Sequence, residues 1–306
     1  AAEVLPVSGD LAEPDTWRDH LTGTDAVVHL CMDPHDPTGT DRILFAEITA
    51  ARERDGRRRH LVYTTGISVF GRTGSALMDE ATQGDPDSPL GFRLLLEKEL
   101  ASSGLPHTVV RPGFIYGGPA TTSMTARWFA AAENGGPVFY GDPAKRWSWV
   151  HVDDLADVYV RILDDPSAFD GDAFMVADDQ RLTALEMQRT AVRAAGWTGE
   201  IMLAPADDGG IMHIAADQDE LVTSAKAHRL LGWRPRHSPS STPPSGTTAR
   251  GRPPRRTEGG GSATDPAITL RRSTIRAVRS ARHGQAVQDD HRGRRGMEPR
   301  AEGQPR

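Results

Sequence analysis

A single cysteine, Cys31, excludes an intrachain disulfide and points to a reducing compartment. No apolar run approaches the roughly 18 residues that cross a bilayer, and no basic-then-apolar segment opens the chain. The expectation is a soluble, cytoplasmic protein with no membrane partner. Hydrophobic residues make up only 37% of the 306, low for a chain that packs throughout, so part of it is expected not to fold. Neither a G-x-S-x-G elbow nor a Walker loop occurs, and no cluster with metal-ligand spacing stands out. The opening strand, glycine-rich turn and helix of a dinucleotide fold are missing too. The one glycine run, Gly259-Gly260-Gly261, has no strand before it.

Charge is split. Residues 237–306 carry 14 Arg, no Lys and six acidic residues, a net of +8, against −14 for the rest. An acidic body joined to a basic tail needs two explanations. The tail is rich in Pro, Gly, Ser, Thr and Arg, and only 267–280 has the pattern of a short basic helix. Its composition cannot bury enough apolar surface to offset ordering, so 237–306 is expected to be disordered. Two origins stand beside each other: a basic arm for nucleic acid or an acidic partner, and GC-rich DNA translated in a shifted frame. Nucleic-acid binding would rest on the tail alone.

The body alternates apolar runs with helical patterns. Strands are expected at 4–7, 26–30, 60–64 and 107–111, and helices at 41–54 and 89–103. Continuous apolar strands suit a sheet buried on both faces, and strand–helix–strand repetition predicts right-handed βαβ units. Further on, Ser148–Val152 reads as a strand. It enters a helix over 153–163, capped by Asp153 or Asp154, with Leu155, Val158, Tyr159 and Ile162 on one face. Residues 173–176 read as a strand. Thr183 and Glu186 form a capping box for a helix through Ala195, and 224–231 forms a last helix stopped by Gly232.

Three stretches carry a resemblance: LVYTTGISVFG at 61–71, HTVVRPGFIYGG at 107–118 and RWSWVHVDDLA at 146–156. They resemble the extended short-chain dehydrogenase/reductases, the NAD(P)-dependent epimerases and dehydratases acting largely on nucleotide sugars. The resemblance covers about residues 1–236. It implies an α/β, doubly wound parallel, Rossmann-like sheet lacking its first βαβ unit, with a smaller α/β substrate-binding portion. The division expected is 1–118 partial dinucleotide-binding domain, 119–236 substrate-binding portion and 237–306 tail. The missing front is read as a truncation, with a fold that never had the motif as the alternative.

The family's Ser/Thr, Tyr and Lys positions fall on Gly66, Pro89 and Arg93. Gly66 has no hydroxyl and Pro89 no proton to give, so the catalytic expectation passes to Thr65 and Arg93. Tyr116 is the nearest other phenol, and its family neighbours are structural. The resemblance implies NAD or NADP as cofactor. Its contacts would be Asp10 and Leu11 near the adenine, Leu30 and Cys31 near the nicotinamide ribose, Thr64, Arg93, and the Pro112–Gly113–Phe114 turn. Lys145, Arg146 and Trp147 would meet the charged end of a small-molecule substrate. His29 reads as a packed strand-end residue, Cys31 as a small hydrophobe, Arg111 as a structural ion-pair partner and His151 as part of a strand end and cap. The first functional reading is an NAD(P)-dependent epimerase/dehydratase-like oxidoreductase with an altered triad. The second is a non-catalytic NAD(P)-binding sensor or scaffold of the same fold. A homodimer is compatible with either.

Overall fold

The computed structural model describes residues 5–33, 35–118, 125–134, 136–238 and 276–278. Four parallel strands make the centre: β1 (Ala26–His29), β2 (His60–Thr64), β4 (His107–Pro112) and β8 (Ala173–Val176), in the order β1-β2-β4-β8. Between β1 and β2 runs α1 (Pro37–Asp55), and α2 (Phe92–Ser102) precedes β4. The short β3 (Leu77–Met78) pairs with a later strand outside this sheet. This is the expected doubly wound, Rossmann-like sheet. β8, from the expected substrate-binding portion, is a strand of the same sheet.

The two faces follow from side-chain alternation. Leu61 and Tyr63 point with Val27 into a core closed by Leu44 and Ile48 of α1 and Leu96 and Leu100 of α2. Val62, Val110 and Phe174 point the other way. There Leu155, Val158 and Ile162 of α4 (Val152–Asp164) cover them, with Trp233. Leu61, Val62 and Tyr63 are all fully buried, which is why this strand reads as an unbroken apolar run.

Local chemistry sets the helix ends. Asp36 Oδ1 accepts from Gly39 N and Pro37 opens α1, four residues earlier than the expected start at 41. Gly56, at φ 69°, closes it in the left-handed region that suits glycine. The expected capping box of α5 (Ala184–Ala194) is present in both directions between Thr183 and Glu186.

Some expectations are corrected. Leu5–Val7 is not a strand, and Leu5 is 75% exposed. β7 (Trp149–His151) is shorter than read, and the N-cap of α4 is His151, whose Nδ1 accepts from Asp153 N, rather than Asp153 or Asp154. Asp154 instead reaches forward. Its Oδ2 accepts from the backbone N–H groups of Arg236 and His237, and its Oδ1 bonds His237 Nδ1. His237, assigned by composition to the tail, is thus tied to the body. Arg276–Val278 is an extended strand antiparallel to β1 and not part of a helix. The remainder of the expected tail, 239–275 and 279–306, lies outside the described residues.

Parallel pairs build the smaller portion and tie it to the residues before it. β5 (Phe114–Tyr116) pairs with β7, β6 (Val138–Tyr140) with β9 (Met202–Ala204), and β3 with β10 (Leu221–Val222). Gly113, between β4 and β5, allows the crowding: a Cβ there would lie 2.4 Å from the carbonyl oxygen of Ser148.

Candidate functional site

Ligands of open α/β sheets bind outside the carboxyl ends of the strands. Here those ends carry His29 to Cys31 after β1, Thr64 to Gly66 after β2 and Pro112 to Phe114 after β4. They are laced together: Thr65 N donates to Val110 O at 3.0 Å and Gly113 N to Val176 O at 2.9 Å. A Cβ added to Gly66 would meet only the Pro112 carbonyl oxygen, at 3.9 Å. Gly66 therefore leaves open space where the resembled family carries a hydroxyl.

The side chains expected to act here are engaged. Arg93, 8% exposed, donates from Nη1 to the carbonyl oxygen of Thr64 at 3.0 Å. Thr65 Oγ1 donates to Glu97 Oε1 at 2.7 Å, and Arg111 closes on the same carboxylate with Nε at 3.2 Å and Nη2 at 2.5 Å. The expected ion pair of Arg111 is therefore with Glu97, fourteen residues back. Thr64 Oγ1 bonds the hydroxyl of buried Tyr159 at 2.8 Å. Pro89 is exposed in the turn before α2. Tyr116 is fully buried with its hydroxyl unbonded, and burial raises its pKa above the phenol range.

The front of the site is sparse. Asp10 is exposed and accepts Ala12 N on Oδ1 at 3.0 Å, while Leu11 is packed in the core. Leu30 is 58% exposed and Cys31 half-buried. The nicotinamide side of the site fits these residues. The pyrophosphate side does not: among the described residues no glycine-rich turn follows β1. The N-terminus of α1 already holds the Asp36 carboxylate, which would repel a phosphate.

Lys145, Arg146 and Trp147 form the second expected contact. Lys145 is 3% exposed, with Nζ donating to Tyr140 O at 2.7 Å and Asp217 Oδ1 at 3.2 Å, and it lies over the rings of Phe139 and Trp147. Burial lowers its pKa. Trp147 is buried against Phe114, the two rings stacked at 4.1 Å, and its Nε1 donates to Gln218 O. Of the three, only Arg146 presents an exposed side chain.

A network that the sequence reading passed over lies behind β1. His29 Nε2 donates to Asp41 Oδ1 at 2.8 Å, and Tyr63 OH donates to Asp41 Oδ2 at 2.5 Å. All three are buried, and the imidazole stacks on the Tyr63 ring. Burial opposes a charge on His29, but the bond to Asp41 and then the Cys31 sulfur outweigh it and raise its pKa to about 9. Burial, with Asp41 beside it, pushes the Tyr63 phenol far above its usual range. A sequence signal existed in the polar His29 at the end of a buried strand and an acid on the covering helix.

His151, Asp153 and His237 lie close enough to suggest a cation site. The two imidazoles stack at 4.0 Å, and each Nδ1 is already hydrogen-bonded, one to Asp153 N and the other to Asp154. The cluster is a helix cap joined to a clasp on residues 236 and 237, as expected of His151.

The comparisons agree with this architecture. A family profile described as NAD(P)H-binding matches residues 1–166. Among solved structures, dTDP-glucose 4,6-dehydratase from Bacillus anthracis str. Ames in complex with NAD aligns at TM-score 0.63 and 17% identity. That alignment covers 76% of this chain and 75% of that one. RMD from Pseudomonas aeruginosa complexed with NADPH aligns at 0.62 and 20%, covering 78% and 87%. UDP-glucose 4-epimerase from Thermotoga maritima with UDP-glucose aligns at 0.64 and 17%, covering 75% and 79%. At such identities the likeness shows the fold. No helix among the described residues is long and apolar enough to cross a membrane. With the profile spanning more than half of the sequence, the chain belongs to the NAD(P)H-binding family, on the fold of the nucleotide-sugar epimerases and dehydratases.

Proposed function

We propose that this protein is an NAD(P)-dependent oxidoreductase of the epimerase/dehydratase type, acting on a nucleotide sugar or a similar small molecule through an altered catalytic set. The observation that supports it best is the carboxyl edge of the sheet. There the Pro112–Phe114 stretch after β4 borders the open space at Gly66 after the neighbouring β2, with the Pro112 carbonyl 3.9 Å from where a Gly66 Cβ would lie. The nicotinamide, when bound, supplies or accepts the hydride. The chain's own residues hold the site: Arg93 fixes the end of β2 through Thr64, Glu97 locks Thr65 against Arg111, and Arg146 offers an exposed cation to a diphosphate.

The second reading is a binding module without turnover. It is favoured by Pro89, which has no proton to give, and by the engagement of Thr65 and Arg93 inside the protein. One pair of measurements separates the readings. Calorimetric titration with NADH and NADPH reports binding, and cofactor absorbance with UDP- and dTDP-glucose reports turnover. Binding with turnover supports the enzyme, binding alone supports the module, and no binding removes both.

A further inference from the structure

We propose that His151, Asp153 and His237 bind a divalent transition metal of the zinc type, which closes residues 236 and 237 onto the start of α4. The site stands apart from the cofactor reading and uses none of its residues.

Each of the three side chains offers one ligand atom, and these atoms lie within 4.8 Å of one another. Ligands bound to zinc at about 2.0–2.2 Å in a tetrahedron stand roughly 3.3–3.6 Å apart, so a contraction of about an ångström completes the set. The contraction falls on groups that can move. The Asp153 side chain is 69% exposed and that of His237 29%, while His151 is buried and fixed.

Neighbours set the lone pair of each ring. An ionised Asp154 can only accept, so its 3.0 Å bond puts the proton of His237 on Nδ1 and the lone pair on Nε2. A ring that donates one N–H to a carboxylate and turns its other nitrogen to a metal is the common outer arrangement of metal sites. Asp154 is anchored for that task, with Oδ2 accepting the backbone N–H groups of Arg236 and His237. His151 is held the other way round. A Cβ on Gly117 would lie 2.3 Å from its Nε2, so that nitrogen is covered. Its Nδ1 lone pair meets the Asp153 N–H at 3.2 Å, and Asp153 Oδ2 stands 3.7 Å from the same nitrogen. The metal takes that lone pair in place of the N–H.

The rings are set before any metal arrives. They stack at 4.0 Å, and Tyr116 meets His151 edge-on at 5.1 Å. Two imidazolium charges stacked this closely repel, which favours the neutral rings that a metal needs. The positive end of the α4 dipole, equivalent to about half an elementary charge, opposes a cation here. Two full carboxylate charges, Asp153 and Asp154, outweigh it. Arg236 Nε lies 3.6 Å from Asp154 Oδ1, but its side chain is 66% exposed and screened by solvent.

The donor set selects the metal. Two imidazoles and one carboxylate suit Zn2+ and its neighbours, whereas Mg2+ and Ca2+ prefer oxygen alone. Two ligands come from the start of α4 and the third from the segment after Trp233, so binding tightens the clasp that Asp154 makes.

Calorimetric titration of the whole chain at pH 7.5 with ZnCl2 is the test, with MgCl2 alongside. One zinc per chain should bind with a Kd of about 10 μM or tighter, and Mg2+ should give no binding. Asp153→Asn keeps the cap of α4, which uses the backbone N–H, and should weaken zinc at least about tenfold. His237→Gln should do the same, while His20→Gln, on an exposed residue elsewhere, should bind as the wild type does. Zinc should also slow tryptic cleavage after Arg234 and Arg236 by at least about threefold in the wild type and not in Asp153→Asn. No zinc binding overturns the proposal. So does unchanged affinity in a folded Asp153→Asn or His237→Gln, which would assign the zinc to surface histidines only. Zinc that binds without slowing the cleavage overturns the closure of 236 and 237. If His237→Gln fails to fold by circular dichroism, Asp153→Asn decides alone.

Discussion

Arg93 Nη1 lies 3.0 Å from the carbonyl oxygen of Thr64, so the guanidinium at the family's lysine position serves the end of β2 before it serves any ligand. A charge-assisted bond to a buried carbonyl contributes about 1.5–3 kcal/mol, and leaving the acceptor unpaired adds to the loss. Arg93→Ala should therefore lower the urea unfolding free energy by about that amount. Arg93→Lys should recover part of it, because an ammonium can reach one oxygen but does not replace the fork. Affinity for NAD(P)H should fall together with stability in Arg93→Ala. Stability that fell with affinity unchanged would confine Arg93 to the strand end.

Glu97 binds Thr65 and Arg111 at once. Its side chain is 9% exposed and that of Arg111 is 11% exposed. Removing one member of a buried pair leaves the other charge without compensation, typically about 3–5 kcal/mol. Glu97→Gln should show a loss approaching that range in urea denaturation, whereas Glu99→Gln, two residues along and partly exposed, should cost under about 1 kcal/mol. Equal losses for the two would show that the central pair contributes no more than a surface one.

Asp154 should behave as a structural anchor. It accepts both backbone N–H groups of Arg236 and His237, and the N–H of Trp233 reaches its backbone oxygen at 2.9 Å. Asp154→Ala leaves two donors unpaired, at about 1–3 kcal/mol each where they are shut off from water. The bond from the Trp233 indole N–H to the residue-154 backbone oxygen survives, so the core contact remains. Proteolysis near residues 234–238 should accelerate in this variant while the rest of the body stays resistant.

Burial raises the pKa of Asp178 to about 7, and its Oδ2 has no hydrogen-bond partner. A carboxyl whose folded pKa lies above its unfolded value of about 3.9 holds its proton in the folded state after the unfolded chain has released it. The folded state then binds more protons, so this group removes stability as pH rises from about 4 to about 7. His29 removes stability in a different window, from about 6.5 to about 9, since its pairing with Asp41 is fully present only below its unfolded pKa. In Asp178→Asn the decline between pH 4 and pH 7 should shrink while the decline above pH 7 persists. Matching curves for the two proteins would show that Asp178 is ionised in the fold.

The sheet was readable because its strands are apolar without interruption. His60–Thr64 and His107–Pro112 carry the signal of strands covered on both sides, and the Thr183–Glu186 box carries its own cap. Lys145 and Trp147 looked available because their partners lie elsewhere in the chain: Asp217, Gln218 and Phe114 are each more than 30 residues away. The cap of α4 was misread for a local reason, since the acid pair at its start looks like a cap and a histidine before it does not. The His29–Asp41–Tyr63 network spans two strands and a helix, and nothing short of their register brings it together.

The altered triad can be tested by rebuilding it. Gly66 has room for a serine, since a Cβ there would approach nothing nearer than the Pro112 carbonyl at 3.9 Å. Pro89 is exposed before α2, so a tyrosine there meets no buried neighbour. Arg93→Lys places a compact ammonium where the family has one. The combination Gly66→Ser, Pro89→Tyr and Arg93→Lys should raise any NAD(P)H-linked turnover with a nucleotide sugar above that of the wild type. Proton donation alone is typically a factor of about 100 to 10,000. Gly66→Ser by itself should change little, because a hydroxyl that orients a substrate cannot replace the missing acid. A triple variant that binds cofactor and folds as the wild type does, yet gains no turnover, would show that the turn around Pro89 has moved away from the old geometry. That outcome would favour the binding module over the enzyme.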